Sequence, residues 1–157
     1  GYAVMFAGAA VSWISKRQAT VSLSSAEAEY TTACLAAQEV QWIRQLLTEI
    51  GVPVKNEGPT TIYSDSQSAM HMANNPTSGR AKHIDIKYHF VKEARQRGVV
   101  EFKYISTDKE AADVLTKALA RPKLVAFRNI LTGKTETLNV HTVEKPTTVT
   151  KRVTFAN

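Results

Sequence analysis

A chain of 157 residues with 43% apolar content is long enough for one domain with a sizeable core. No uninterrupted apolar run approaches membrane-spanning length, and the apolar opening, Gly1-Tyr2-Ala3-Val4-Met5-Phe6, has neither the basic lead nor the long apolar region of a secretion signal. The formal charge of +6 admits a polyanionic partner, nucleic acid first, and the single cysteine, Cys34, has no internal disulfide partner and fits a reducing intracellular compartment.

The chain begins with a meander. Residues 2–7, 10–15 and 19–24 are expected as short strands, with Gly8 turning the first pair, Lys16-Arg17-Gln18 the second, and Val11, Trp13, Val21 and Leu23 giving period-two alternation. Beginning without an initiator Met, residues 1–6 read as a strand cut from a longer polypeptide. A long helix follows over 25–50 and stops at Gly51, with Pro53 beyond. Its apolar stripe runs Ala33, Ala36, Ala37, Val40, Ile43, Leu47 and Ile50, and Glu29 heads that stripe. Cys34 is read as a small core residue. Residues 60–64 form a strand that ends at Asp65, and residues 66–74 a brief helix.

The turn residues of 75–80 make a loop. The helix expected over 83–97 carries Ile84, Tyr88 and Val91 on one stripe and Ile86, Phe90 and Ala94 on another, and closes at Gly98. Residues 99–105 form a strand. Thr107-x-x-Glu110 fits a capping box for a helix through about Ala118, and Pro122 starts a last helix to about Leu131. From Thr132 to Asn157 the threonine-rich chain lacks periodicity and is expected as a flexible tail or linker beyond a domain of residues 1–131.

A carboxylate on an apolar helix face must shift its pKa, find a cation or bind a metal, so Glu29 is the candidate for chemistry. Glu27 is structural, because Ser24-x-x-Glu27 fits a capping box. Asp65 at a strand end and Asp113 early in a helix are placed where loops converge, and three such carboxylates at one rim suit Mg²⁺ or Mn²⁺. Between Arg80 and Arg97 six basic residues face only Asp85 and Glu93, with His83, Tyr88, His89 and Phe90 interleaved, a mixture suited to phosphate contact and stacking. A zinc site there is not expected, since His83 and His89 are six apart and face different sides of one helix.

Five motifs occur in order: Val11-Ser12-Trp13, Leu23-Ser24-Ser25-Ala26-Glu27-Ala28-Glu29-Tyr30, Tyr63-Ser64-Asp65-Ser66-Gln67-Ser68-Ala69, Lys82-His83-Ile84-Asp85-Ile86-Lys87-Tyr88-His89-Phe90 and Ala112-Asp113-Val114-Leu115-Thr116-Lys117. As a set, over residues 1–131, they resemble the ribonuclease H domain of copia-type retrotransposon Pol polyproteins. The resemblance implies an α/β fold, a five-stranded mixed sheet flanked by helices, and two-metal hydrolysis of the RNA strand of RNA–DNA hybrids. It assigns Glu29, Asp65 and Asp113 as catalytic and metal-binding residues, two Mg²⁺ or Mn²⁺ ions to the intact family site, and Arg80, Lys82, His83 and Lys87 to the nucleic acid. It also implies an intracellular setting, a cytoplasmic particle or the nucleus, and an upstream reverse transcriptase segment of the same polyprotein as partner, with no membrane.

The fourth family carboxylate is an Asp on a first strand that precedes the Gly-Tyr with which this chain opens. The fold is therefore expected to lack the family's central strand, with two sheet edges left open to self-association. The expectation is a chain inactive or nearly so by itself. The alternative is a non-catalytic remnant that binds nucleic acid or a protein. An integrase, which shares the fold and the acidic chemistry, fits the surrounding motifs less well. The loop before Asp113, Ser106-Thr107-Asp108-Lys109-Glu110, carries no histidine, which many ribonucleases H use in product release.

Overall fold

A computed structural model describes residues 1–16, 24–54, 58–74, 82–134 and 152–155, with residues 82–85 and 152–155 described by backbone alone. Strands β1 (Tyr2–Phe6) and β2 (Ala9–Ile14) pair antiparallel through a two-residue turn in which Ala7 has φ 50° and Gly8 φ 89°. Two positive φ values in a row match the right-handed twist of the flanking strands. Residues 19–23 of the strand expected over 19–24 lie outside the described residues, and Ser24 is the cap of the helix that follows.

Helix α1 (Ser25–Glu49) starts where the capping box required, with the Ser24 hydroxyl accepting the Glu27 N–H at 3.1 Å. It ends in a paired closure, Gly51 N–H to the Thr48 carbonyl and Val52 N–H to the Leu47 carbonyl, which the left-handed Gly51 makes possible. Ala33, Ala36, Ala37 and Val40 are buried as the stripe required, but Ile50, in the cap, is 66% exposed. Strand β3 (Thr60–Ser64), helices α2 (Gln67–Asn74) and α3 (Lys82–Gln96) and strand β4 (Val100–Tyr104) follow as expected within a residue or two, and α4 (Arg121–Leu131) begins with Pro122 in its first turn. Of the two stripes proposed for α3, Tyr88, Val91 and Ala94 are buried, whereas Ile86 is 74% exposed.

Two elements depart from the sequence reading. The helix expected over 107–118 is a pair of 3-10 turns, Thr107–Lys109 and Ala111–Leu115, because the chain is extended at Glu110 and the Glu110 side chain accepts the Ala112 N–H, starting a second turn instead of extending the first. Within the segment expected to be a tail, Arg152–Phe155 forms a strand, β5. It lies antiparallel to β1 and parallel to β3, giving the mixed sheet the order β2-β1-β5-β3-β4. The slot expected to stand open beside β1 is thus filled from the other end of the chain. Val153, Thr154 and Phe155 have strand preferences, but four residues are too short to announce themselves, and the unpaired backbone of β1 and β3 supplies the stronger drive.

Alternation along β1 sends Tyr2 and Val4 into the main core with Val40, Ile62, Met70, Val91 and Phe102, where α1, α2 and α3 lie. Ala3 faces the opposite way, against Ala112, Leu115 and Leu131 of the second 3-10 turn and α4. Both faces of the sheet are therefore covered, and the strand ends are left for a site. The stacked rings of Tyr30 and Tyr88, 4.5 Å between centroids, join α1 to α3.

Candidate functional site

Glu29 is in the second turn of α1, Asp65 is the first residue after β3, and Asp113 is in the middle of the second 3-10 turn. The capped start of α1 fixes the rotation that turns Glu29 inward, where it is 7% exposed. Asp65 is held by the end of β3: the Ser64 hydroxyl accepts the Ser66 N–H, and the Ser64 carbonyl accepts the Ile105 N–H that follows β4. Its Oδ2 accepts a hydrogen bond from the Thr107 hydroxyl at 3.0 Å. Asp113 is 1% exposed, and its turn packs beneath β1 and β5.

The three carboxylates come from separate elements and form one electrostatic neighbourhood. Burial pushes Glu29 up to about 7; the amino terminus pulls it down, Asp65 raises it, Lys117 lowers it and Asp113 raises it. Lys117 brings a side-chain cation to the two aspartates, with Nζ 2.8 Å from Asp113 Oδ1 and 4.0 Å from Asp65 Oδ2. Asp65 Oδ1 and both oxygens of Asp113 are buried with no hydrogen-bond partner among the described residues, Asp113 Oδ1 meeting Lys117 as an ion pair.

Sequence reasoning did not single out Lys117 or Glu110. Lys117 follows Asp113 at the i, i+4 spacing that marks a charge pair on a helix, which was the available signal. Glu110 was assigned to a capping box begun by Thr107; it is fully buried and caps the turn that carries Asp113. Thr107, read as that cap, instead supports Asp65.

A divalent ion suits only part of this set. Among the described residues no group of three or more His, Cys, Asp and Glu side chains is gathered closely enough to hold a metal. Asp65 and Asp113, both within 4.0 Å of Lys117 Nζ and each with a buried oxygen that accepts no hydrogen bond among the described residues, have the donor chemistry for one Mg²⁺ or Mn²⁺ ion, which is commonly held by one or two carboxylates plus water and substrate phosphate. Among the described residues no third acid is gathered with this pair closely enough for a second ion, and the sequence of β5, in the neighbouring sheet position, holds no acidic residue.

Of the residues assigned to nucleic acid, Arg80 lies outside the described residues, and Lys82 and His83 are placed by backbone in the first turn of α3. Lys87 donates to the Thr31 hydroxyl at 3.1 Å, so its head lies against α1, two residues from Glu29. His89 and Lys92 are exposed on the same helix.

The chain is 41% identical over 130 residues to the retrovirus-related Pol polyprotein from transposon RE2 of Arabidopsis thaliana, a match covering 82% of this chain and 9% of that protein. The corresponding polyprotein from transposon RE1 of the same plant is also 41% identical over 130 residues, covering 82% and 8%. That from transposon TNT 1-94 of Nicotiana tabacum is 40% identical over 132 residues, covering 83% and 10%. The chain thus spans about a tenth of the length of the curated relatives it matches. No family model and no solved structure matches it.

Proposed function

The chain is homologous to one segment of the retrovirus-related Pol polyproteins of transposons, and on that premise we propose that it is the ribonuclease H-type domain of such a polyprotein, serving hydrolysis of the RNA strand of RNA–DNA hybrids. The observation that carries this reading is the meeting of Glu29, Asp65 and Asp113, drawn from α1, the end of β3 and the second 3-10 turn. Three carboxylates with enclosed side chains beside the Lys117 ammonium and the amino terminus are costly for a small domain to bury. They are well suited to a divalent ion working on a phosphodiester.

In this reading Asp65 and Asp113 would hold a Mg²⁺ or Mn²⁺ ion, which when bound supplies charge for the attacking water and the leaving oxygen. Glu29, raised to about 7, stands ready to exchange a proton near neutral pH beside that pair. The RNA strand would be told from DNA by its 2′-hydroxyls and helix shape rather than by its sequence. Lys82, His83 and Lys87, with Arg80, would contact the nucleic-acid backbone, and the upstream reverse transcriptase segment would deliver the hybrid. The family's two-ion site would need an acid beyond those gathered here, so the chain by itself is expected to be inactive or nearly so.

That no third acid joins Asp65 and Asp113 closely enough to hold a metal among the described residues, and that β5 carries no acidic residue, favour a second reading, a remnant that binds nucleic acid without cutting it. The first reading requires recognition of the hybrid and the second only binding of nucleic acid, so competition binding in EDTA tests the first. A labelled RNA–DNA hybrid should bind in preference to DNA duplex of the same sequence, with affinity that falls steeply as salt rises. Equal affinity for both duplexes would remove the hybrid as substrate class.

A further inference from the structure

We propose that Lys117 is the resident counter-ion of the Asp65–Asp113 pair, and that a divalent cation enters this site by exchange, displacing the Lys117 ammonium from between the two carboxylates. The inference rests on the reading of Asp65 and Asp113 as metal ligands. It concerns what keeps those ligands in place before an ion arrives.

The side chains of Asp113 and Asp65 are 1% and 5% exposed, whereas that of Lys117 is 30% exposed. The acids are therefore fixed in the protein, and the cation reaches them from the solvent side. Its ammonium touches one oxygen of Asp113 and stands farther from one oxygen of Asp65. The opposite oxygens, Asp65 Oδ1 and Asp113 Oδ2, are left without hydrogen bonds among the described residues. Buried carboxylate oxygens in that state are costly, and with Asp65 Oδ2 held by the Thr107 hydroxyl the single ammonium closely meets only Asp113 Oδ1.

A hard divalent ion relieves more, because it takes oxygens at about 2.0–2.2 Å from several directions. It cannot do so beside a like-charged ammonium that sits 2.8 Å from Asp113 Oδ1. The four-carbon stem of Lys117 allows its head to leave toward water while its backbone N–H keeps its bond to the Asp113 carbonyl, 2.8 Å long. Lys117 then has two opposite effects. It stabilises the metal-free protein and weakens the metal's hold, so the pair is never left uncompensated.

The test uses the whole chain at fixed pH without nucleic acid, comparing wild type, Lys117→Gln and Lys117→Arg by thermal unfolding in EDTA and in Mn²⁺, with Mn²⁺ affinity read from the spin-resonance signal of the free ion. Lys117→Gln should unfold at a lower temperature in EDTA, gain more from Mn²⁺ than wild type, and bind Mn²⁺ roughly tenfold more tightly. Lys117→Arg, which keeps the charge, should stay near wild type in both conditions. An unchanged midpoint for Lys117→Gln in EDTA overturns the counter-ion role. Measurable Mn²⁺ binding that Lys117→Gln leaves no tighter overturns exchange while the metal reading stands, and no Mn²⁺ binding by any variant overturns both. Should Lys117→Gln fail to fold in EDTA, recovery on adding Mn²⁺ supports exchange. Failure to recover, while Asp113→Asn/Lys117→Gln folds, overturns it.

Discussion

Glu29 shows how much a single position can reveal. Its place at the head of an apolar stripe is enough to predict a buried acid, because a 3.6-residue period fixes which side of α1 faces the core. That its neighbours are Asp65 and Asp113 is a consequence of folding across 36 and 84 residues, which periodicity cannot reach. Lys117 is legible only through its i, i+4 spacing to Asp113, and its approach to Asp65 is again tertiary. The raised pKa of Glu29 has a thermodynamic sign. From the ordinary 4.5 to about 7 the folded chain holds a proton that the unfolded chain has released, so this group favours folding at low pH and its contribution is lost as pH rises through that window. Glu29→Gln should therefore flatten the fall in stability between pH 4.5 and 7, measured by denaturant unfolding across that range. A slope identical to wild type would mean that Glu29 ionises as an exposed carboxylate does.

At the scale of elements, the strong local signals carried through. The Ser24 cap, the Gly51 closure and Pro122 each act within one helical turn, and α1 and α4 begin and end where those residues require. The β1–β2 turn holds a residue unsuited to it, since Ala7 at φ 50° carries a side chain in the left-handed region. Ala7→Asn should raise stability by about 0.5–1 kcal/mol, checked by urea unfolding, and a loss would show that the turn is not of this type. Two signals misled. The Thr107-x-x-Glu110 spacing imitates a capping box, but Glu110 spends its side chain on the following turn. The four residues of β5 carry too little pattern to be distinguished from the threonine-rich stretch around them, and their partners on β1 and β3 are about 150 and 90 positions away in sequence. Val153 lies opposite Val4 on one side and Ile62 on the other. Val153→Pro should cost on the order of 2–3 kcal/mol and promote association through the reopened edges, read by unfolding and by light scattering. Unchanged stability and mass would deny β5 a part in holding the sheet.

At the scale of the whole molecule, the sheet is covered on one face by α1, α2 and α3 and on the other by the second 3-10 turn and α4, so chemistry is left to its rim. The mixed α/β character followed from the order of elements, and the sequence expectation that Glu29, Asp65 and Asp113 converge rested on loops meeting at strand and helix ends, whereas Asp113 sits within a 3-10 turn. What no sequence rule supplied is that a strand from the far end of the chain closes the sheet without bringing an acid to the site. On the proposed function these carboxylates belong to a hybrid-cutting site that needs an acid beyond those gathered among the described residues. That reading is tested most directly by incubating a labelled RNA–DNA hybrid with the chain, and with a version extended upstream, in Mg²⁺ and in Mn²⁺, each beside its Asp65→Asn variant. RNA-strand cleavage by the extended protein, abolished by Asp65→Asn, is expected, with little or none by the chain itself. Failure of the extended protein to cleave, or cleavage that survives Asp65→Asn, would contradict it.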